Sequence, residues 1–188
     1  MKIAYILFDG ITWLDFIGAY HPISQLQKLG YLPNLTWETA ALTPSVVDDF
    51  GLKMSVDAVA PDLSGFDIII VPGGWGTRPL RYDVAFLNWL KTAENVPIKC
   101  SVCTGALLLG AAGFLKNKRI TTNYQAIDIT RMYCREVVDE RVVEDNGVIT
   151  AGAVASSIDL GLYICAKLAG QEVAEIIRLK MDFGERIK

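Results

Sequence analysis

Ile98-Lys99-Cys100-Ser101-Val102-Cys103-Thr104-Gly105-Ala106-Leu107-Leu108-Leu109-Gly110 reads as an apolar strand, one abrupt turn and an apolar helix. Ser101 and Gly105 stand two positions either side of Cys103, small enough for a tight strand-to-helix elbow. A cysteine at such a turn meets the unpaired N–H groups and positive dipole end of a helix start, which favour a thiolate. The stretch therefore proposes a nucleophile together with its activation. The competing reading of Cys103 is a small buried hydrophobe, as most free cysteines are.

Strand and helix signals alternate on both sides of this elbow. Upstream, Lys2 to Phe8 is a continuously apolar strand, broken by Asp9-Gly10. A helix from Trp13 to Leu29 ends at Gly30, with Pro22 predicting a kink or break inside it. Thr36 to Leu42 and Asp67 to Val71 read as strands, the second closed by Pro72-Gly73-Gly74, and Val84 to Ala93 as an amphipathic helix. Downstream, Gly113 ends the elbow helix, Arg119 to Thr122 is a short strand and Ala126 to Tyr133 a helix. Asn146-Gly147 between two apolar runs marks a tight hairpin, and helices follow over Ser156 to Leu168 and Val173 to Phe183. Alternating β and α units predict one α/β domain over residues 1–188, an open and mostly parallel sheet with helices on both faces. Ligands of such sheets bind at the strand carboxyl ends, where both Gly73-Gly74 and Cys103 fall.

Composition narrows the chemistry. The 188 residues suit one domain, and no apolar run reaches the ~20 residues of a membrane span. The apolar start is interrupted at Asp9, too early for a signal peptide, so a cytoplasmic protein is expected. Lys and Arg number 18 against 21 Asp and Glu, and no basic run occurs, so neither nucleic acid nor a membrane is an expected partner. Four cysteines do not suggest a disulfide scaffold. With one histidine, His21, and no paired ligand spacing, neither a metal nor another cofactor is implied.

Several residues then compete for roles. Asp15 is the acid/base candidate, since a carboxyl near a thiolate and partly desolvated can hold a proton at neutral pH. Thr12-Trp13-Leu14-Asp15 also fits a helix capping box, which on spacing alone is the stronger reading. Gly73 and Gly74 are either a turn or, with the Thr104 N–H, an oxyanion-type site. Thr104 starts the helix or lends its hydroxyl to the site. Trp13, Phe16, Trp75 and Tyr124 divide between core and pocket wall. Cys100 falls inside the strand and reads as a structural thiol, while Cys134 and Cys165 lie on apparent helices. His21 reads as a surface residue.

Taken as a set, the motifs resemble the ThiJ/PfpI superfamily over nearly the whole chain. They are Leu14-Asp15-Phe16-Ile17-Gly18, Asp67-Ile68-Ile69-Ile70-Val71-Pro72-Gly73-Gly74, Ser101-Val102-Cys103-Thr104-Gly105, Ala111-Ala112-Gly113-Phe114-Leu115, Arg119-Ile120-Thr121-Thr122-Asn123 and Ile149-Thr150-Ala151-Gly152-Ala153-Val154 before Ile158-Asp159. The resemblance implies a flavodoxin-like three-layer sandwich, a cysteine nucleophile elbow and a homodimer. Thr104 stands where protease-like members carry a histidine, and Asp15 where deglycase-like and glyoxalase-like members carry a glutamate. Asn123 replaces a histidine of many members, and the chain ends soon after Phe183, short of the tail some hydratases have. Asp15 with Cys103-Thr104-Gly105 looks like the isocyanide hydratase branch. That implies a small-molecule substrate, hydrated through a thioimidate on Cys103 with Asp15 as general acid/base and Val154 in the substrate pocket. The alternatives are a glyoxalase or deglycase activity, or a sensor acting through Cys103.

Overall fold

The computed structural model describes residues 1–184. Its main sheet runs in the order β10-β11-β7-β6-β1-β2-β5. These strands are β1 (Lys2–Ile6), β2 (Thr36–Ala41), β5 (Ala58–Val59), β6 (Ile68–Val71), β7 (Ile98–Val102), β10 (Val142–Asp145) and β11 (Val148–Ala151). All pairings are parallel except β10 with β11. The flavodoxin-like α/β expectation holds. β6 and β11 are buried along their whole length, and β1 along all but its first residue. Strands covered on both faces need such apolar runs.

The helices form two packed groups. Helices α1 (Trp13–Lys28), α6 (Ser156–Ala169) and α7 (Gln171–Lys180) make one; α2 (Thr77–Leu80), α4 (Gly105–Ala111) and α5 (Ile127–Thr130) make the other. Helix α3 (Val84–Lys91) docks through Phe86, whose ring meets Phe8 edge-on at 6.1 Å. Among the described residues no helix is long and apolar enough to cross a membrane.

Helix α1 positions the site. It continues through Pro22 without a break, packed along its length against α6. A Cβ on Gly18 would lie 1.9 Å from Ser157 Oγ, and one on Gly161 2.3 Å from Pro22 Cγ, so glycine alone permits this close approach. Ser157 Oγ donates to the Leu14 carbonyl at 3.0 Å, and the Cys165 thiol to the Pro22 carbonyl at 3.3 Å. On the inner face Phe16 packs against Tyr5 at 5.1 Å and Tyr20 at 5.5 Å. Burying such a ring is worth about 2–3 kcal/mol. Asp15 therefore enters the protein interior on a helix that cannot rotate.

Asn146 and Gly147 both have positive φ, 46° and 78°, the tight turn expected of that pair. Other elements differ from expectation. A hairpin of β3 (Ser45–Val47) and β4 (Lys53–Ser55) occupies a stretch that carries no strand signal, because three-residue strands are too short to show a period. The strand expected at Arg119 to Thr122 shrinks to β8 (Arg119–Ile120), which pairs with β9 (Glu136–Val137) outside the main sheet. The helix expected at Ala126 to Tyr133 is only α5 between two 3-10 turns, and Cys134 is extended rather than helical. The closing helix stops at Lys180, short of Phe183.

Candidate active site

The sheet's strand order reverses between β1 and β6, since β1 lies between β2 on one side and β6 on the other. The loops after these two strands are stitched together: Thr12 N–H donates to the Gly73 carbonyl at 2.9 Å and Gly76 N–H to the Gly10 carbonyl at 3.0 Å. The elbow after β7 closes the third side. This is where open α/β sheets hold ligands.

Cys103 is held at φ 55°, a left-handed conformation that costs a non-glycine residue of the order of 1 kcal/mol or more. The surroundings enforce it. Its N–H donates to the Ala151 and Gly152 carbonyls at 3.0 and 2.8 Å, and its carbonyl accepts from Thr122 Oγ1 at 2.8 Å. A Cβ on Gly105 would lie 2.1 Å from the Val71 carbonyl, so only glycine lets α4 start this close to β6.

Asp15 is fully buried, and its Oδ2 accepts the Gly73 N–H at 2.8 Å. The other oxygen, Oδ1, is buried without a hydrogen-bond partner. Desolvation pushes the carboxyl up to about 7, with the Gly73 N–H and then the Cys103 side chain holding it down. The capping box does not form. Thr12 makes no side-chain cap, and its own N–H is taken by Gly73, so Asp15 turns inward instead.

The helix start does not leave Cys103 as a resting thiolate. Burial first and the Asp15 charge second push the thiol up to about 11, against the pull of Asn123 and Thr104. Helix α4 is short and buried from Gly105 to Gly110, and loss of water around sulfur outweighs its dipole. At neutral pH the thiol thus keeps its proton, while the carboxyl beside it is divided between its protonated and ionised forms.

Gly73 and Gly74 do not present an open oxyanion site. The first gives its N–H to Asp15, and the second gives its N–H to Thr104 Oγ1 at 3.0 Å. Their role is to position. A Cβ on Gly73 would lie 2.7 Å from both Asp15 Oδ2 and the Thr104 nitrogen, so the pair closes over a position with no room for a side chain. Thr104 Oγ1 in turn donates to the Gly74 carbonyl at 3.1 Å.

Asn123 is the residue whose role sequence reasoning missed. Its Oδ1 accepts the Gln125 N–H at 2.8 Å, which orients the amide so that Nδ2 donates to Cys103 Sγ at 3.2 Å. The signal was its place after Thr121-Thr122, where histidine was expected. Asn123→Ala is expected to slow alkylation of Cys103 by iodoacetamide about fivefold at about pH 8, the worth of one such bond. An unchanged rate would remove Asn123 from control of the thiol.

A cleft of about 180 Å³ opens onto Cys103, walled by Thr12, Trp75, Arg78, Asn123, Gln125 and Val154. Trp75 and Val154 are placed as expected; Arg78, Gln125 and Thr12 were not foreseen. The other three aromatics, named with Trp75 for core or pocket wall, do not line this cleft. Phe16 lies in the core because α1 turns it under the sheet. Trp13 donates its Nε1 hydrogen to the Leu52 carbonyl at 3.2 Å, away from the cleft wall. Tyr124 is 71% exposed and borders a separate 410 Å³ pocket with Ile127 and Val138. A larger cavity, about 520 Å³, is a surface groove of a different character, lined by self-paired charges such as Arg141–Asp159 and Lys167–Glu144. His21 is exposed on α1. Cys100 is buried in β7, with its thiol pushed well up by desolvation, as a structural residue should be.

The DJ-1/PfpI family description matches residues 1–167. The chain belongs to this family. A Pseudomonas putida protein named isonitrile hydratase is 32% identical over 185 residues, covering 98% of this chain and 79% of that protein. A deglycase of Thermococcus kodakarensis is 25% identical, covering 80% of this chain and 89% of that one. The crystal structure of a ThiJ/PfpI family protein from Pseudomonas syringae superposes with a TM-score of 0.87 at 28% identity, covering 98% of this chain and 76% of that one.

Proposed function

We propose that this protein is an enzyme that hydrates small isocyanides to N-substituted formamides, using Cys103 as nucleophile and Asp15 as general acid/base. The observation that carries the reading is the Asp15–Cys103 couple, a carboxyl at about 7 beside a thiol whose other side-chain partners are the Asn123 amide and the Thr104 hydroxyl, neither of them a base. The likeness to the Pseudomonas putida isonitrile hydratase supports it.

The couple suits a substrate whose carbon gains a proton as it is attacked. Ionised Asp15 takes the proton from Sγ and passes it to the isocyanide carbon as the S–C bond forms. The product is a thioimidate, Cys103–S–CH=N–R, and Asp15 is ionised again. Asp15 next takes a proton from water as the hydroxide adds to that carbon, and hands it to nitrogen. The C–S bond then breaks, sulfur recovers the hydroxyl proton through Asp15, and the formamide departs. Each turnover consumes one isocyanide and one water. Oδ1 of Asp15, with no competing hydrogen bond, is the oxygen suited to carry the proton.

Parallel incubations with methyl isocyanide and methylglyoxal test the reading. N-methylformamide is expected from the first and no lactate from the second. Lactate without N-methylformamide would instead favour the glyoxalase-like activity, and Cys103 oxidation by mild peroxide without turnover of either would favour a sensor.

A homodimer belongs to the same proposal. Leu14 and Ile17 on α1 and Phe50 and Leu52 on the β3–β4 turn are exposed, and the Trp13–Leu52 hydrogen bond ties that turn to α1. A second copy of the chain is the proposed cover for these apolar side chains. Light scattering is expected to give the mass of two chains, falling to one in Ile17→Lys; a single-chain mass for the unaltered protein at all concentrations would end the idea.

A further inference from the structure

The wall of the Cys103 cleft carries a guanidinium with no acidic partner. Arg78, on α2, places its guanidinium carbon over the Trp75 ring at 4.0 Å from the centroid. Arg119, Arg131, Arg135, Arg141 and Arg178 each meet a carboxylate; among the described residues Arg78 and Arg81 meet none, and of these two only Arg78 lines the Cys103 cleft. Trp75 is itself 62% exposed, so the stacked pair is not part of the core. It stands on the wall of the same 180 Å³ cleft that holds Cys103 and Asn123.

The charge balance of the cleft points one way. Its other polar walls, Thr12, Thr104, Asn123 and Gln125, are neutral, so Arg78 brings the formal charge among the described lining residues. Asp15 lies buried beneath and is only partly ionised at neutral pH, so it offsets that charge incompletely. A guanidinium held over an indole ring keeps its fork of N–H donors in fixed orientation, and that fork matches a planar carboxylate. A purely hydrocarbon substituent would leave these donors without a partner.

We propose that Arg78 is a specificity-determining residue that binds a carboxylate on the substrate's substituent, so that the preferred substrates are small isocyano carboxylates rather than hydrocarbon isocyanides. The identity of the reacting group rests on the hydratase reading above; the carboxylate subsite does not.

Two measurements test the proposal. For hydration, isocyanoacetate is compared with its neutral near-isostere isocyanoacetamide. The wild type is expected to favour the carboxylate at least about tenfold in kcat/KM. That ratio falls to about one in Arg78→Met and partly returns in Arg78→Lys, which keeps the charge but loses the fork. For alkylation, the rate at Cys103 with iodoacetate is divided by the rate with iodoacetamide and compared with the same ratio for a simple thiol. In both reactions sulfur displaces iodide, an S–C bond replacing the C–I bond and the thiol proton being released. The ratio is expected to be raised in the wild type and to drop to the simple-thiol value in Arg78→Met. Each ratio is internal to one protein, so partial loss of folded enzyme does not alter it. Equal ratios in wild type and Arg78→Met, in either assay, overturn the proposal while leaving hydration of both isocyanides intact. An Arg78-dependent alkylation ratio with neither isocyanide hydrated keeps the carboxylate subsite and rejects the hydratase reading.

Discussion

Cys103→Ala is expected to lower kcat/KM for methyl isocyanide by at least about 10⁴-fold, because the bond-forming atom is gone and nothing nearby replaces it. The fold should survive. Alanine tolerates a φ of 55° no worse than cysteine does, and the backbone hold is untouched. The Cys103 N–H still reaches the Ala151 and Gly152 carbonyls, and its carbonyl still accepts from Thr122. Losing one buried sulfur costs on the order of 1 kcal/mol, a shift of a few degrees in Tm. Intact-mass analysis after exposure to isocyanide separates the roles. The wild type is expected to gain the mass of one isocyanide, the thioimidate, and the variant none. Turnover retained in Cys103→Ala would take the cysteine out of the reaction.

Asp15→Asn carries the second large effect and acts in opposite directions on rate and stability. The ionised carboxylate is the form that accepts the thiol proton. The wild-type rate should therefore rise with pH through about 7 and level off well before the thiol's own value of about 11. In Asp15→Asn the rate falls about 10³-fold and the limb near 7 disappears. Stability moves the other way. The folded value of about 7 lies above the ordinary 3.8, so between those values the native state binds more protons than the unfolded chain. Stability then falls as pH rises through that window. By about pH 8 the buried charge costs roughly 4 kcal/mol. Asparagine keeps an acceptor for the Gly73 N–H and removes that charge. The variant should melt several degrees above the wild type at about pH 8, with the gap closing below about pH 4. A gap that does not change with pH would show that desolvation of Asp15 is not what sets its proton affinity.

The elbow was legible because the signal is local. An apolar strand, a cysteine between two small residues and an apolar helix occupy adjacent positions, and each constrains the next. The same holds for Asn146-Gly147, where two residues suffice to define the turn. Helix α1 shows the limit. Pro22 reads as a kink or a break; the helix runs on through it, and Gly18 and Gly161 let α6 pack closely alongside. Phe16 and Trp13 illustrate the same limit for side chains. One aromatic near Asp15 goes to the core and the other to the β3–β4 turn, a choice made by the rotation of α1 against the sheet and α6.

Asp15 concentrates the difference. Its neighbours in sequence favour a helix cap, and nothing local argues against it. The decision is made by Gly73, 58 residues away, whose N–H takes the carboxylate, while its carbonyl takes the Thr12 N–H and so prevents the cap. Asn123 and Arg78 came to the cleft in the same way, through a 3-10 turn and a four-residue helix too short to announce themselves.

The sequence by itself determined the alternating α/β order, the parallel sheet and the elbow that carries Cys103, because apolar periodicity and turn chemistry act over a few neighbouring residues. Tertiary structure alone decided that burial leaves Cys103 a thiol, that Asp15 holds a proton near neutrality, and that Asn123 and Arg78 face the cleft. Those outcomes depend on loss of water and on contacts between segments far apart in the chain, and no local pattern encodes either.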